Sequence, residues 1–388
     1  MTMRPPSPVV RYLWRTAIAA GGLLAPWLAA SGQASLSAQG FGYAPGQLST
    51  RAQGTGGAVG EMDPMSPINP ATIAVFPSRI LFFQADPEFK TVTGPNGTDR
   101  TSISRYPVVF GAMPVRGNFV MSLSSSTLLD RTSTTTFNTI QPLGGADSVQ
   151  MTTQQHVDGA MNDVQLAGGW SVFPWLRFGL GAHWIAGHNL VDLKQSFPDS
   201  ERFATFTQSR ILGFSGGAAS AGFQIATNVV NLSASARVGG TLHLYSEDTL
   251  LSSAHVPNHY GASLAYTGLT NSAISVRTSL DTWSRLGGLG TPGLIAVDAW
   301  DTSVGADLQG PRIGQRYLFL RGGFRTRTLP FQAAGQNVTE TSFSGGLGTT
   351  FASGHVMTDI AAIHATRKAD VNASEHAWTL SFGVAVRP

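Results

Sequence analysis

Apolar and polar residues alternate with a period of two along most of the chain, and this alternation limits the fold more than any other feature. Near the C-terminus, Trp378, Phe382 and Val386 lie on one face of the pattern, and Thr379 and Ser381 lie on the other. Such alternation is typical of β-strands with one apolar face. It predicts 14 antiparallel strands, near 78–85, 101–113, 119–123, 160–173, 176–184, 208–224, 232–238, 260–266, 274–280, 300–308, 318–324, 343–351, 355–366 and 378–386.

The composition fits strands whose outer face lies in an apolar medium. The 388 residues are 42% hydrophobic and only 12% charged, whereas soluble domains are about 25% charged. This hydrophobicity excludes intrinsic disorder. The absence of cysteine excludes disulfide scaffolds, thiolate metal sites and cysteine nucleophiles. Most of the predicted strands are long enough to cross a bilayer obliquely and too long for an ordinary β-sandwich.

Short and long connections alternate between the predicted strands. The short ones lie near 114–115, 173–175, 225–229, 268–271, 310–314 and 353–354, and the longer polar ones near 86–100, 127–159, 188–207, 241–255, 284–296, 328–338 and 367–375. Short periplasmic turns and longer extracellular loops are typical of bacterial outer-membrane barrels, and closure pairs every backbone group in lipid. We therefore predict a transmembrane β-barrel over 78–388, embedded in outer-membrane lipid. Its longest connection, 127–159, is expected to be an irregular extracellular lid.

The first 38 residues predict a secretory signal peptide. Arg4, Arg11 and Arg15 precede an apolar stretch at 16–30, and small residues follow it, which is the order of a signal peptide. Cleavage is expected within 30–38. Without this segment the basic and acidic residues balance, so the mature chain has no excess of positive charge for binding nucleic acid.

Most charged residues within the predicted strands lie opposite the apolar face. A charge facing lipid costs about 2–4 kcal/mol at mid-depth, so these side chains are expected to point into the lumen. Either they pair with one another and brace the barrel, or a subset of them lines the path of a solute. By the same alternation Ser381 faces the lumen, so arginine should be tolerated better there than at Phe382. The predicted lumen-lining residues are Arg177, His183, Arg237, Arg277, Asp281, Asp301, Asp307, Arg321 and Arg325.

Residues 39–77 do not follow the strand pattern, because they contain too much glycine and proline for a membrane strand. They include RAQGTGGA at 51–58, an acid at Asp63 and NPA at 69–71. This arrangement resembles the R-x-x-G-x-G-G-A…D…N-P-A signature of the long-chain fatty-acid transporter (FadL/TodX-like) outer-membrane superfamily. That superfamily also includes porin-like subunits of a bacterial secretion system. Further similarity to its late strands is present at 319–331 and 344–350.

The resemblance implies an all-β, 14-stranded barrel with an N-terminal hatch, residues 39–77, inside its lumen. Alternation alone predicts the same number of strands. Apolar residues within 39–77 favour a buried plug over a free tail, and Arg51 and Asp63 are expected to pair with inward charges such as Asp301 or Arg321. The residues that carry the signature, and would shape or gate the hatch, are Arg51, Gly54, Gly56, Gly57, Asp63, Asn69, Pro70 and Ala71.

Short motifs typical of enzymes occur in contexts that argue against catalysis. Residues 213–217 match G-x-S-x-G but lie in a predicted strand, whereas a nucleophile elbow needs a strand–turn–helix context. Residues 288–293 match G-x-G-x-x-G, but Pro292 and the following strand exclude a helix N-terminus for a pyrophosphate. We expect no catalytic residue, no metal site and no cofactor. Two histidine pairs have spacings that suit a metal only on a helix, and both lie in predicted strands or loops: His183/His188 and His255/His259.

Two functions remain. The first is a channel for the passive uptake of hydrophobic or amphipathic small molecules, of the fatty-acid or hydrocarbon class, as the resemblance implies. The second is a structural or secretion-associated barrel that binds a partner protein. An apolar pocket between hatch and wall would favour transport. A lumen filled by its own side chains, with apolar extracellular loops, would favour partner binding. The sequence leaves the substrate and the oligomeric state open.

Overall fold

A computed structural model describes residues 36–38, 41–94, 97–144, 147–198, 202–289, 295–314, 316–369 and 373–388. Residues 1–35 of the predicted signal peptide and 39–40 of the predicted hatch lie outside the described residues. The described part contains one short helix, α1 (Thr50–Gly54), and three 3₁₀ turns at Thr72–Val75, Trp283–Leu289 and Ala352–Gly354. Its strands are β1 (Ile80–Gly94), β2 (Gly97–Arg105), β3 (Val108–Arg116), β4 (Phe119–Asp130), β5 (Ser133–Gly144), β6 (Asp147–Phe173), β7 (Leu176–Ser196), β8 (Phe206–Ala226), β9 (Val230–Ser246), β10 (Thr249–His255), β11 (His259–Leu269), β12 (Ser272–Asp281), β13 (Ala299–Ile313), β14 (Arg316–Thr328), β15 (Thr339–Phe351), β16 (Val356–Lys368) and β17 (Ser374–Val386).

The strands form one antiparallel sheet that closes on itself where β17 pairs with β1. Three strands of the wall are interrupted, so that β2 and β3, β4 and β5, and β10 and β11 each follow one path. Counted by these paths, the barrel has 14 strands. The predicted strand number and the all-β class are therefore confirmed.

The predicted alternation between two faces is present in the wall. Along β17, Trp378, Phe382 and Val384 are exposed on the outer face, whereas Ser381 is fully buried on the inner face. The outer face continues around the barrel as exposed apolar side chains such as Leu180, which is 70% exposed. An uninterrupted apolar outer belt is the surface that a lipid bilayer covers in membrane barrels.

The two ends of the barrel differ, and we call them the short-turn end and the hairpin end. At the short-turn end lie brief links such as 117–118 and 270–271, and the register of Leu81 with Val386 places both barrel termini there. At the hairpin end the strands continue far beyond their predicted lengths, and β6 has 27 residues. The prediction of an irregular lid at 127–159 is wrong, because β5 and β6 pair there as a regular hairpin. Polar residues prevail in this hairpin and its few apolar ones fall on both faces, as exposed Ile140 and buried Met151 show, which hides the alternation in the sequence.

Residues 41–76, here called the N-terminal segment, contain α1 and the first 3₁₀ turn but no barrel strand. Ser49 caps α1 by accepting a hydrogen bond from the amide of Ala52, as N-cap serines do. Gly56 follows with a φ of +68°, and a Cβ there would lie 2.9 Å from the backbone nitrogen of Phe324. Only glycine fits a left-handed conformation in such close contact with the wall. None of the described helices is long and apolar enough to span a membrane.

Candidate functional site in the barrel interior

The N-terminal segment contacts inward-facing groups from separate parts of the wall. The hydroxyl oxygens of Thr50 and Ser381, in β17, lie 2.8 Å apart. The side-chain Nδ2 of Asn69 donates to the backbone carbonyl oxygen of Phe223, in β8, at 3.2 Å. Since β8 and β17 are far apart in the order of the sheet, the segment connects distant strands through directional polar contacts.

Asn69, Pro70 and Ala71 form a compact turn against the wall. Oδ1 of Asn69 accepts a hydrogen bond from the amide of Ala71 at 3.0 Å, and its Nδ2 donates to the carbonyl of Glu61 at 3.0 Å. A Cβ at Gly179 of β7 would lie 2.2 Å from the carbonyl carbon of Pro70. The wall therefore needs a glycine where this turn approaches it.

Arg51 binds the wall through a different partner from the expected ones. Its Nε lies 2.9 Å from Oδ2 of Asp307 in β13, and its Nη1 lies 3.8 Å from Oδ1 of Asp63. Asp63 accepts hydrogen bonds from Ser49 and Ser66, both in the segment, at 2.5 and 2.9 Å. Asp307 is one of the predicted inward charges, so the expected pairing of Arg51 with an inward charge is present. The two residues given as examples have other partners: Asp301 pairs with Arg277 and Arg325, and Arg321 pairs with Asp307 and Asp359.

Glu61 joins the N-terminal segment to the opposite part of the wall. Its buried carboxylate accepts hydrogen bonds from Ser235 at 2.6 Å and from Nη2 of Arg277 at 3.2 Å, and Nε2 of His259 lies 3.2 Å away. Burial alone would raise the pKa of Glu61, but the hydrogen bond with His259 and the charge of Arg277 lower that pKa to about 2. The carboxylate is therefore ionised at neutral pH and pairs with β9, β11 and β12.

Gln47 makes a further polar connection to the wall. Its Nε2 donates to Asp163 at 3.0 Å, and its Oε1 accepts from Arg237 at 2.9 Å. Nδ1 of His183 lies 2.8 Å from Asp163, and its Nε2 lies 2.8 Å from the hydroxyl of Ser220. Asp163, His183 and Ser220 are thus connected by hydrogen bonds in the same way as the acid, histidine and serine of a catalytic triad. A nucleophile must be reached by its substrate, however, and Ser220 is only 6% exposed, so we assign this group a structural role.

Near the hairpin end, Tyr43 lies among three arginines of the wall. The guanidinium carbons of Arg105, Arg327 and Arg367 lie 4.9, 5.1 and 4.5 Å from its ring centroid, and its hydroxyl donates to Glu340 at 3.1 Å. Burial raises the pKa of Tyr43, so the hydroxyl keeps its proton. Cation–π contacts and this hydrogen bond connect the segment to β2, β14, β15 and β16.

The residues predicted to line the lumen lie on the inner face of the wall. Arg177 donates to the side chain of Gln224 at 2.8 Å, whereas the others all form ion pairs with carboxylates or basic groups. Of the two alternatives considered for the inward charges, this mutual pairing is the one in which they brace the barrel. The ion-paired residues are His183, Arg237, Arg277, Asp281, Asp301, Asp307, Arg321 and Arg325.

Further inward charges lie in regions predicted to be loops. Glu88 pairs with Arg105 and with Arg367, and Asp130 pairs with Arg105 at 2.5 Å. Beside Asp130 both neighbours, Leu129 and Arg131, are buried, so no alternation of apolar and polar residues marks its inward position. Glu61 lies in the N-terminal segment, where apolar and polar residues follow no regular period. The sequence did contain one signal for the inner face of β1: the charged residues Glu88 and Lys90 stand two positions apart, as residues on one face of a strand do. Both are buried in the structure.

The space between the N-terminal segment and the wall is filled largely by side chains. Two cavities beside the segment have volumes of about 40 and 60 Å³, and charged residues such as Asp301 and Arg325 line the first. These volumes suit a few water molecules. A larger cavity of about 410 Å³ lies at the short-turn end, lined by Arg51, Arg321 and Met357 among others.

An apolar cluster fills the interior at the hairpin end. Phe41 of the N-terminal segment packs on Phe331 with ring centroids 4.9 Å apart, and Trp283 lies 6.3 Å from Phe331. The cluster therefore joins the segment, the 3₁₀ turn after β12 and the link after β14. Its buried members are Phe41, Ala44, Leu128, Leu129, Met161, Ile185, Phe214, Leu242, Ala254, Val256, Trp283, Leu286, Leu289, Ala299 and Phe331.

Solved structures resemble this barrel, although no family model and no curated protein matches the sequence. A FadL homologue from Pseudomonas aeruginosa matches with a TM-score of 0.61 at 13% identity, covering 89% of this chain and 99% of that one. The chain has the fold of the FadL-like outer-membrane barrels. The CymD monoaromatic hydrocarbon channel matches with a TM-score of 0.55 at 12% identity, covering 88% of this chain and 97% of its own. The Pseudomonas putida toluene transporter TodX matches with a TM-score of 0.51 at 13% identity, and the match covers 90% of this chain and 96% of TodX.

The FadL-like fold and the apolar outer belt place the protein in the bacterial outer membrane. In such barrels the short turns face the periplasm and the long hairpins face the exterior. We therefore expect the short-turn end to face the periplasm and the hairpin end to face the exterior. The predictions of a FadL-like barrel and of its location are confirmed.

Proposed function

We propose that this FadL-like protein is a channel for the passive uptake of hydrophobic or amphipathic small molecules, and that the N-terminal segment is its hatch. The fold that it shares with the CymD hydrocarbon channel and the TodX toluene transporter supports this class of solute. The proposal includes no catalytic step and no cofactor. The nine inward residues from Arg177 to Arg325 would brace the wall around the hatch.

The way in which the N-terminal segment is attached carries the proposal. Arg51, Gln47 and Glu61 bind charged residues in different parts of the wall. Ion pairs and hydrogen bonds can be exchanged for bonds to water. The part of the segment that these residues hold can therefore leave the wall while Phe41 and Ile73, on either side of it, keep their apolar contacts with the wall. Its glycines and the Asn69–Ala71 turn fit it closely against the wall while it is docked.

Uptake requires movement of this hatch. The cavities beside it measure about 40 and 60 Å³, whereas an apolar cavity that binds benzene has about 150 Å³. A hydrophobic solute entering from outside would first meet the apolar cluster that includes Trp283 and Phe41. It would then pass the charged region that the N-terminal segment occupies.

A disulfide lock tests whether the hatch must move. The chain has no cysteine, and the hydroxyls of Thr50 and Ser381 are 2.8 Å apart, so the double variant Thr50→Cys/Ser381→Cys should form a single defined bond. We expect proteoliposomes with the oxidised variant to lose uptake of labelled toluene and labelled long-chain fatty acid, and dithiothreitol to restore it. The single variant Ser381→Cys is the control. Unchanged uptake in the oxidised variant would contradict the hatch.

One observation favours the second function, a barrel that binds a partner protein. The interior is filled by its own side chains, as that function would allow. Its extracellular hairpins are mainly polar, however, and β2 reads GTDRTSISR. Wild-type proteoliposomes that take up neither probe, from a barrel that is correctly assembled, would favour this second function.

A further inference from the structure

The outer face of the wall carries a cationic patch just outside the apolar belt. We define it as Arg100, Lys368, His364 and His376, on β2, β16 and β17. The strand register places these residues close together on one side of the barrel. Phe89, Trp378 and His364 share one row, and the next row toward the hairpin end contains Arg100, Thr91, His376 and Thr366, with Lys368 and Ser374 one row beyond.

Contacts between the side chains agree with this register. The rings of His364 and His376 lie 5.9 Å apart and nearly parallel, and His364 packs on Trp378 at 4.7 Å. The hydroxyl of Thr366 lies 3.3 Å from Nδ1 of His376. The imidazoles thus form one continuous surface with the exposed aromatic side chain at the edge of the belt.

Among the residues that the structure describes, the patch has no acidic residue on its own face. Glu88 and Glu375 alternate to the inner face and are buried, and Asp99 lies on the side of β2 opposite to Arg100. Within the described part of the chain, no ion pair engages Arg100 or Lys368. The positive charge therefore faces outward without a partner. On β7, by contrast, Lys194 shares its face with Asp192, two residues away.

We propose that the cationic patch binds a phosphate of lipid A, the glycolipid of the outer leaflet. Phe89 and Trp378 mark the edge of the apolar belt, because aromatic side chains collect at membrane interfaces. Arg100 and His376 lie one outward row beyond that edge, which is the level of the lipid headgroups. Arginine and lysine bind phosphate through charge-assisted hydrogen bonds.

The spacing within the patch suits a single headgroup. Neighbouring strands lie about 4.8 Å apart, so Arg100 and His376, two strands apart in the register, are separated by about 10 Å. Lys368 is one strand and one row from His376. Long basic side chains can converge over such distances. Hydroxyls of Thr91, Thr366 and Ser374 on the same face can donate further hydrogen bonds to phosphate oxygens.

Binding of lipid A to the purified barrel tests this proposal. The probes are bisphosphorylated lipid A and the same lipid with both phosphates removed, measured by native mass spectrometry. The test variant is Arg100→Gln/Lys368→Gln, which leaves the histidine stack intact. Lys194→Gln, on another side of the barrel, is the matched control. Heat-modifiable mobility on gels checks that each barrel is assembled.

We expect the wild type and the control to prefer bisphosphorylated lipid A. The double variant should bind it about 25-fold more weakly, since each Lys or Arg near an anionic membrane surface contributes roughly fivefold in affinity. Equal affinity of the double variant and the wild type would overturn the proposal, and so would equal binding of the two lipids by the wild type. The solute path is not involved, so uptake of toluene should be unchanged in the double variant.

Discussion

At the scale of single residues, buried charge pairs decide how firmly the N-terminal segment is held. Glu61→Gln keeps the shape of the side chain but leaves Arg277 and His259 facing a neutral group. Breaking a buried pair costs about 3–5 kcal/mol. At the lower end of this range, tryptic cleavage after Arg51, which requires release of the segment, should become roughly a hundredfold faster. Glu247→Gln, in an exposed turn, is the control, and equal rates in the two variants would contradict the assignment.

The same carboxylate predicts that acid loosens the segment. The pKa of Glu61 is about 2 in the docked segment, against an ordinary value of 4.5. Because docking lowers this pKa, the contribution to stability is complete above about pH 4.5 and is lost as the pH falls toward 2. It amounts to about 3 kcal/mol. After correction for the intrinsic rate of amide exchange at each pH, the protection of the segment should therefore fall on acidification more in the wild type than in Glu61→Gln. An identical pH dependence in both would assign the effect to another group.

At the scale of elements, the face of a strand decides what a charge costs. Phe382→Arg places a charge on the lipid face of β17 and should cost about 2–4 kcal/mol near mid-membrane. Urea unfolding of the refolded barrel measures this cost. Ser381→Arg, expected from the sequence to be tolerated, is no suitable control, because Ser381 is fully buried against Thr50 and Asp86. Thr379→Arg, beside a cavity, replaces it, and an equal loss there would show that facing lipid is not the cause.

The start of the mature chain is a second question at this scale. Leu36 is buried with Tyr43, Leu329 and Val338, and the amide of Ser37 donates to Glu375 at 3.1 Å. Removal of residues 36 and 37 would break these contacts. We therefore expect the signal peptide to be cleaved before Leu36, in the first part of the predicted window of 30–38. N-terminal sequencing of protein from outer membranes checks this, and a mature chain beginning at residue 38 or later would contradict it.

At the scale of the whole molecule, the proposed function predicts that the N-terminal segment separates the two sides of the barrel. Deleting residues 44–72 should leave a barrel that still assembles, because the wall closes through its own backbone pairs between β17 and β1. Inward charges that lose Arg51 and Glu61 would then be solvated by water entering the lumen. We expect a clear rise in single-channel conductance in planar bilayers. An assembled deletion variant with wild-type conductance would show that the segment does not close the channel.

The sequence by itself predicted the wall well and the contacts of the site poorly. Alternation identified 14 strands and the inner face that contains Arg237 and Asp307, and the signature at 51–71 indicated which segment would lie apart from the wall. It did not predict that Asp307 rather than Asp301 binds Arg51. It also missed Glu61, because a segment without a period gives no sign of which side chains will be buried.

The physical reason for this difference is that the face of a residue depends on its neighbours in sequence, whereas its partners depend on residues far away in sequence. Whether a strand residue faces lipid or the interior depends on its own position in a period of two, so the sequence determined the barrel, its two faces and its belt. Partners depend on register and on closure of the barrel. Arg277 and Glu61 are 216 residues apart, and Arg100 and His376 lie in the same row of the sheet only because β17 pairs with β1. Only the tertiary structure decided these contacts, since no local pattern records which strands will be neighbours or how far each is shifted along the other.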